Sequence, residues 1–355
     1  MFEQPIKLVY ILPNYEGEMG NHFYHKLEFV RRLRETGHNI FLILERGEWP
    51  LGLEHVYIQK FTWIPFRALE LVCVLFALRL KGYKIFWTHY SFFGGIFAPW
   101  FGKSFYWNCG MPWLYERPSF EEKIFQRALR SSRLVTGTEG MKDLYVKEYN
   151  LDSDRIFVLP NWINLERFRA DEHEKKRARE ALHFPVDAKI VLFIHHLSPR
   201  KGADYIMPVA REFESDPDVI FAVAGSGPLQ EELMGRNIRL LGPVAQTKVP
   251  ELLAASDVLF MPSEEEGFPH VALEAMAVGV PIVSSNVGGV HEIISPSMSE
   301  YIVERDPQQF IEKIKILLKN PELATRLGDE ERIWVEKYGL ERVREKFLEL
   351  IQNAQ

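Results

Sequence analysis

Short apolar runs rich in β-branched and aromatic residues alternate along the chain with longer stretches whose apolar positions recur every three to four residues. That alternation predicts parallel strands joined by helical crossovers, because a parallel strand can only be reached by returning the chain along the face of the sheet. In the first half the strand-like runs are 7–12, 39–44, 56–59, 85–90, 105–108, 134–138 and 156–159; in the second they are 190–195, 219–224, 238–241, 258–261, 281–284 and 301–303. Helices are predicted over 19–36, ending at Gly37 as a left-handed cap, over 63–80 and over the charge-dense 172–182. The stretch 321–351 is also predicted helical, with a break near Tyr338 and Gly339. The fold class is therefore α/β, with two doubly wound parallel sheets. The connection 160–169 divides the chain into a domain over 1–165 and one over 166–335, and 336–355 forms a last helix expected to return to the first domain.

A chain of 355 residues fits two domains of about 150 to 200 residues each better than one core. Two cysteines, Cys73 and Cys109, make neither a disulfide framework nor a four-thiolate zinc site, which favours a reducing, cytoplasmic setting. The first residues lack the basic and small-residue pattern of a secretory signal. The most membrane-like stretch, 61–80, is interrupted by Arg67, Glu70 and Arg79 and so is not expected to cross a bilayer. Charge and aromatic content differ between the halves. Residues 1–165 hold 20 Lys and Arg against 17 Asp and Glu, while 166–355 hold 23 against 32; 33 of the 46 aromatic residues lie in the first half. A mildly basic, aromatic-rich half suits either an anionic membrane surface or simply an aromatic core with a solvated basic rim.

The chemistry concentrates in the segment Glu264-Glu265-Glu266-Gly267-Phe268-Pro269-His270-Val271-Ala272-Leu273-Glu274. A strand precedes it and a helix follows, with Pro269 expected at the first helical position, where its missing N–H costs nothing. The amides of His270, Val271 and Ala272 then stay free, and together with the helix dipole they favour an anion. Gly267 permits a tight turn and close approach of a ligand. Carboxylates are pure acceptors suited to sugar hydroxyls, so Glu266 and Glu274 on either side of a bound diphosphate would give the geometry of a nucleotide sugar. A solvated acidic loop with a dipole-stabilising Glu274 is the competing reading.

Glu266-Gly267-Phe268 together with Glu274-Ala275-Met276-Ala277, seven residues lying between the two glutamates, resembles the donor-site signature of the retaining GT-B glycosyltransferases of family four. Leu197-Ser198-Pro199-Arg200-Lys201-Gly202 is similar to that family's phosphate-binding lysine loop, Gly225-Ser226-Gly227-Pro228 to its second glycine loop, Gly288-Gly289 with Glu292 to the loop after its donor helix, and 161–168 to its interdomain segment. The resemblance implies the GT-B architecture, two Rossmann-like domains facing a cleft. It implies that Glu266 holds the donor sugar, Glu274 the ribose and Lys201 the diphosphate, with the backbone near Val244 beside the nucleobase. It also places His196, Arg200, Gly225, Gly227, Phe268, Pro269, His270 and Val271 in the donor site, and Gly20, in the glycine loop after the first strand, beside the donor phosphates or acceptor. The donor is a UDP- or GDP-sugar used as a substrate; no cofactor and no metal are expected. Lys201 also stands on physics, as a cation expected to be exposed at a strand end where open α/β sheets bind ligands.

Two positions depart from the pattern. His195-His196 replaces the family's Gly-Arg, weakening the positive charge unless Arg200 compensates. Adjacent strand residues point to opposite faces, so the two imidazoles do not share a metal. Cys109 stands where family members often carry a histidine, leaving His89 as the best first-half imidazole, expected to face the cleft as a catalytic group. The expected activity is retaining transfer of a sugar to a glycan or lipid-linked acceptor, without nucleic acid as a partner. The alternatives are a weakly active or inactive sugar-nucleotide-binding subunit, which the two replacements motivate, and a GT-B epimerase. The aromatic 63–101 region suggests peripheral attachment to the inner face of an anionic membrane, with Lys26, Arg31, Arg32, Arg34, Lys123, Arg127, Arg130 and Arg133 as candidate cations.

Overall fold

A computed structural model describes residues 5–15, 23–169 and 172–353 of the chain. It divides into two compact units, Met1–Pro160 with Arg344–Gln355, and Asn161–Val343.

The first unit is built on seven parallel strands among the described residues, β1 (Lys7–Leu12), β2 (Asn39–Leu44), β3 (Val56–Ile58), β4 (Ile85–His89), β5 (Lys103–Trp107), β6 (Arg133–Thr136) and β7 (Ile156–Val158). Their order is β3-β2-β1-β4-β5-β6-β7. β1 pairs with β2 from Lys7↔Asn39 to Leu12↔Leu44 and with β4 through Leu8↔Ile85. Central strands covered on both faces need continuous apolar runs, and β1 is buried from Leu8 to Leu12. One layer packs Val9, Ile11 and Ile43 against Leu71, Leu75 and Leu78 of helix Ile64–Leu80. Another packs Tyr106 and Leu134 with Phe125 and Tyr145. The closing helix contributes Phe347, whose ring meets Trp87 and Phe29 edge-on.

The second unit repeats the plan with six parallel strands, β8 (Lys189–Ile194), β9 (Val219–Ala224), β10 (Ile238–Gly242), β11 (Val258–Met261), β12 (Ile282–Ser285) and β13 (Ile302–Val303). Their order is β10-β9-β8-β11-β12-β13. Both sheets are thus Rossmann-like and doubly wound, and in each the direction of winding reverses once, between β1 and β4 and between β8 and β11. Ligands of open α/β sheets bind outside the carboxyl ends of the strands at such a reversal. The loops leaving β8 and β11 are those of Lys201 and Glu266.

Candidate active site

The loop after β8 folds into a tight 3-10 turn, Pro199–Lys201, closed by Gly202 at φ 75°. A side chain at 202 would drive into the carbonyl of Pro262, so glycine is required for this loop to lie against the one after β11. The close approach buries Lys201, which corrects the expectation of an exposed cation. Its Nζ donates to Glu266 Oε1 at 2.7 Å, with the two side chains 8% and 7% exposed, and it also approaches the Glu265 carbonyl. Ser263 Oγ donates to the same Glu266 oxygen at 2.8 Å. Glu266 Oε2 has no hydrogen-bond partner among the described residues, which leaves one acceptor on a carboxylate fixed from its other side. The acidic run is therefore not a solvated loop. Glu264 is exposed, but Glu265 is buried and accepts from Arg200 Nη1.

Helix His270–Val278 starts one residue later than expected, with Pro269 extended (ψ 121°) in the capping place and offering no side-chain cap. Proline fits there because its fixed φ is compatible with both places. The amides of the first turn remain those of His270, Val271 and Ala272. The approach to this turn is held by Asn161, buried, whose Nδ2 donates to the Phe268 carbonyl at 2.8 Å. Phe268 is wedged edge-on against Tyr338, and the His270 ring meets Trp162 edge-on. Gly267 is partly exposed, and Gly289 N donates to the Glu266 carbonyl at 3.2 Å, bringing the loop after β12 to the same place. Glu274 lies inside the helix and is buried. Val271 is partly exposed in its first turn.

The second glycine loop serves backbone packing. Gly225, at φ 138°, leaves no room for a side chain because the His195 carbonyl lies against it, and a side chain at Gly227 would run into the Leu197 backbone. Leu197 N donates to the Ser226 carbonyl at 2.9 Å, and Leu229 N to the Leu197 carbonyl at 3.1 Å. The His196 side chain is exposed, while its amide donates to His195 Nδ1 at 2.7 Å. Val244, after β10, is partly exposed, and no hydrogen bond among the described residues ties it to Lys201 or Glu266. Ser263 completes the site without any signal in the sequence, and Asn161 has only its place at the head of 161–168, since a polar residue in a connection is ordinarily solvated.

In the first unit, Gly20 lies outside the described residues. His89 is buried at the end of β4 between the rings of Phe23, Tyr90 and Trp107, and so does not face an opening. Burial, and then the charge of Lys26, hold its pKa well below the ordinary value, so the imidazole is neutral near pH 7. Lys26 is buried too, its ammonium 4.1 Å from the centre of the Trp107 ring and its pKa drawn down to about 7 by desolvation. It is therefore not a surface cation. Among the other cations proposed for a membrane surface, Arg34 donates to the Ile40 carbonyl and Arg130 to the Tyr149 carbonyl.

Two family models match the chain: Glycosyltransferase Family 4 over residues 24–167 and Glycosyl transferases group 1 over residues 174–334. D-inositol 3-phosphate glycosyltransferase of Streptomyces bingchenggensis is 32% identical over 239 residues, covering 62% of this chain and 51% of that protein. Putative teichuronic acid biosynthesis glycosyltransferase TuaC of Bacillus subtilis is 29% identical over 199 residues, covering 54% and 49%. The match thus spans about half the length of these curated relatives. Among solved structures, sucrose-phosphate synthase from Thermosynechococcus elongatus superposes with a TM-score of 0.79 at 18% identity over 98% of both chains. HepE of Anabaena in complex with UDP-glucose does so with 0.79 at 15% identity over 98% of this chain and 99% of that one. These two structures share the fold.

Proposed function

Since the chain belongs to the family-four glycosyltransferases of GT-B fold, we propose that it moves a sugar from a nucleotide-diphosphate sugar, with UDP or GDP as the carrier, to a glycan or lipid-linked acceptor with retention of configuration. The observation that carries this reading is the buried Lys201–Glu266 pair beside the first turn of helix His270–Val278, at the winding reversal of the second sheet. HepE, which has this fold, is known in complex with UDP-glucose.

In this reading the diphosphate lies over the first turn of helix His270–Val278, where the helix dipole and the amides of Val271 and Ala272 oppose its charge. Lys201 supplies the adjacent cation, with Arg200 beyond it. The free Oε2 of Glu266 takes a donor-sugar hydroxyl, and Glu274 takes the ribose. His196, Gly225, Gly227 and Val244 border the nucleotide. The bond from the anomeric carbon to the phosphate oxygen breaks, and the acceptor oxygen forms its bond to that carbon on the same face. The acceptor proton passes to the departing diphosphate. Catalysis then rests on stabilising the leaving group by preorganised charge, with no divalent metal. His89, neutral and buried, acts at most as a fixed hydrogen-bonding group in the first unit. The His195-His196 replacement remains the one feature of the second unit that speaks for a weak binding subunit, but the relatives are named as transferases, which favours transfer over that reading and over an epimerase.

The acceptor side also has a proposed physical setting, the cytoplasmic face of an anionic membrane. Helix Ile64–Leu80 buries Leu71, Leu75 and Leu78 but exposes Phe66, Leu69, Cys73, Phe76 and Leu80 along a second stripe. Trp63, Ile64 and Trp100 are exposed as well. The loop presenting Phe61 and Trp63 is pinned, since the buried carboxylate of Glu70 accepts from Lys60 N at 2.8 Å, Phe61 N at 3.2 Å and the Tyr57 hydroxyl at 2.8 Å. Exposed Lys60, Arg79, Lys81 and Lys84 flank the apolar face, the arrangement of a surface that lies on anionic lipid. Among the described residues no helix is long and apolar enough to cross a membrane.

The test is transfer itself. Lys201→Ala and Glu266→Gln are expected to reduce turnover of a radiolabelled donor by at least about a hundredfold, the scale of losing one preorganised charge contact at a leaving group. Near-normal turnover by either variant removes the assignment.

A further inference from the structure

The loop that leaves β12 reaches the candidate site at two points. Ser285 Oγ donates to the Ser263 carbonyl, and Gly289 N donates to the Glu266 carbonyl at 3.2 Å. The chain then makes one short helical turn, Val290–Ile293, and a helix leaves its last carbonyls without partners of its own. Three side chains of one neighbouring element supply what the turn lacks. Trp334 Nε1 donates to the Ile293 carbonyl at 2.9 Å, and the Tyr338 hydroxyl donates to the Glu292 carbonyl at 3.0 Å. Glu331 Oε1 accepts from Ser295 N at 3.0 Å and from Ser295 Oγ. All three belong to helix Pro321–Trp334 and the 3-10 turn Val335–Tyr338 that prolongs it.

The same element holds helix His270–Val278 at its far end. Arg332 donates to the Val278 carbonyl through Nε at 3.0 Å and Nη2 at 2.6 Å, a cation set against the negative end of the helix dipole. The fit there is close, since a Cβ at Gly328 would run into the Gly279 carbonyl. At the near end the buried Tyr338 ring meets Phe268 edge-on with centroids 5.4 Å apart. One side chain therefore touches both the loop of Glu266 and the loop after β12. Apolar burial is non-directional, whereas a hydrogen bond fixes where its partner lies. Bonds aimed at residues 292, 293 and 295 hence set the course of that loop and not merely its packing.

We propose that Glu331, Trp334 and Tyr338 are positioning residues of the donor site, which set the loop after β12 so that the Gly289 amide fixes the Glu266 backbone and, through it, the carboxylate that takes the donor sugar. The inference rests on the transferase reading and adds to it the residues that govern the grip on the sugar, as distinct from the nucleotide. Lys201 comes from the loop after β8, and helix His270–Val278 is held by Arg332, so the diphosphate end of the site depends less on Gly289.

Tyr338→Phe removes only the hydroxyl, and Trp334→Phe removes the indole N–H while keeping an aromatic ring. Hydrogen exchange of the ligand-free full chain is the first readout. The Gly289 amide is expected to exchange about three- to tenfold faster in either variant, the scale of one lost hydrogen bond, with β8 and β11 exchanging as in the wild type. Calorimetric titration with UDP, UDP-glucose, GDP and GDP-mannose is the second. Affinity for the nucleotide sugar is expected to fall about three- to tenfold relative to affinity for its bare nucleotide. A general loss of stability would instead speed exchange in the strands and leave that ratio unmoved. Unchanged exchange at Gly289 in both variants overturns the proposal, and so does a ratio equal to the wild type's in both. A wild type that binds neither nucleotide nor nucleotide sugar counts against the transferase reading, and exchange at Gly289 then decides by itself whether these residues set the loop.

Discussion

Lys201 and Glu266 cannot be altered singly without a consequence for the fold. Each is buried against the other at 2.7 Å, so removing one leaves a charge enclosed without its partner, a loss of about 3 to 5 kcal/mol. Lys201→Ala is therefore expected to lower the free energy of unfolding in urea by about that amount, and Lys201→Ala/Glu266→Gln, which removes both charges, by clearly less. Equal destabilisation by the two would mean that the ion pair is not what the site is built on. The pairing also marks how far these residues are legible in the sequence. The order of Glu266, Gly267, Phe268 and Pro269 is local chemistry, in which a loop enters a helix, and it predicts the start of that helix to within one residue. The burial of Lys201 depends on a contact across 65 positions and on Gly202 fitting against Pro262, neither of which has a local pattern. Lys26 is hidden for the same reason, since a lysine on an amphipathic helix reads as a surface charge until Trp107 is found above it.

Strands are the elements most faithfully written in the sequence, because parallel strands buried on both faces must be apolar throughout. β1, β2, β9 and β11 coincide with their apolar runs. β5 begins two residues early, at Lys103 and Ser104, whose polar side chains give no sign that they pair with Ile85 and Phe86. Helix Ile64–Leu80 shows the opposite difficulty, since an apolar run does not say which of its faces is covered. Its uncovered stripe predicts that the chain sediments with phosphatidylglycerol vesicles at low salt, that binding falls as salt rises, and that Phe66→Ser/Phe76→Ser abolishes it without lowering the melting temperature. No sedimentation of the wild type at low salt would defeat the membrane proposal. Helix Pro321–Trp334 carries a different prediction. Glu331 is enclosed there, accepting from Ser295 N at 3.0 Å and from Ser295 Oγ, and burial pushes its carboxyl up to about 7. Between the usual carboxylate range and pH 7 the unfolded chain therefore holds fewer protons than the folded one, so stability falls as pH rises through that window and levels off above it. Glu331→Gln should remove this slope and stabilise the chain above pH 7 by about 1 to 3 kcal/mol; the same slope in both proteins, followed by urea unfolding at stepped pH, would refute it.

At the scale of the molecule, two repeats of one doubly wound plan carry different chemistry. The first unit is rich in aromatic residues and mildly basic, with an apolar stripe on one helix; the second is acidic and keeps its cations, Lys201 and Arg200, paired beside a helix terminus. Transfer by fixed charges alone predicts that turnover survives EDTA, and a loss restored by magnesium or manganese would require a different account of the leaving group. The proposed transfer requires a nucleotide diphosphate sugar to settle against the first turn of helix His270–Val278. Thermal denaturation with UDP, GDP and their sugars tests this most directly, since a ligand bound only by the folded chain raises its melting temperature by mass action. One carrier is expected to raise the wild type's melting temperature with increasing concentration, and the Lys201→Ala/Glu266→Gln protein is expected to show no such rise. A wild type indifferent to every nucleotide and nucleotide sugar, or a double variant stabilised as strongly as the wild type, would contradict it.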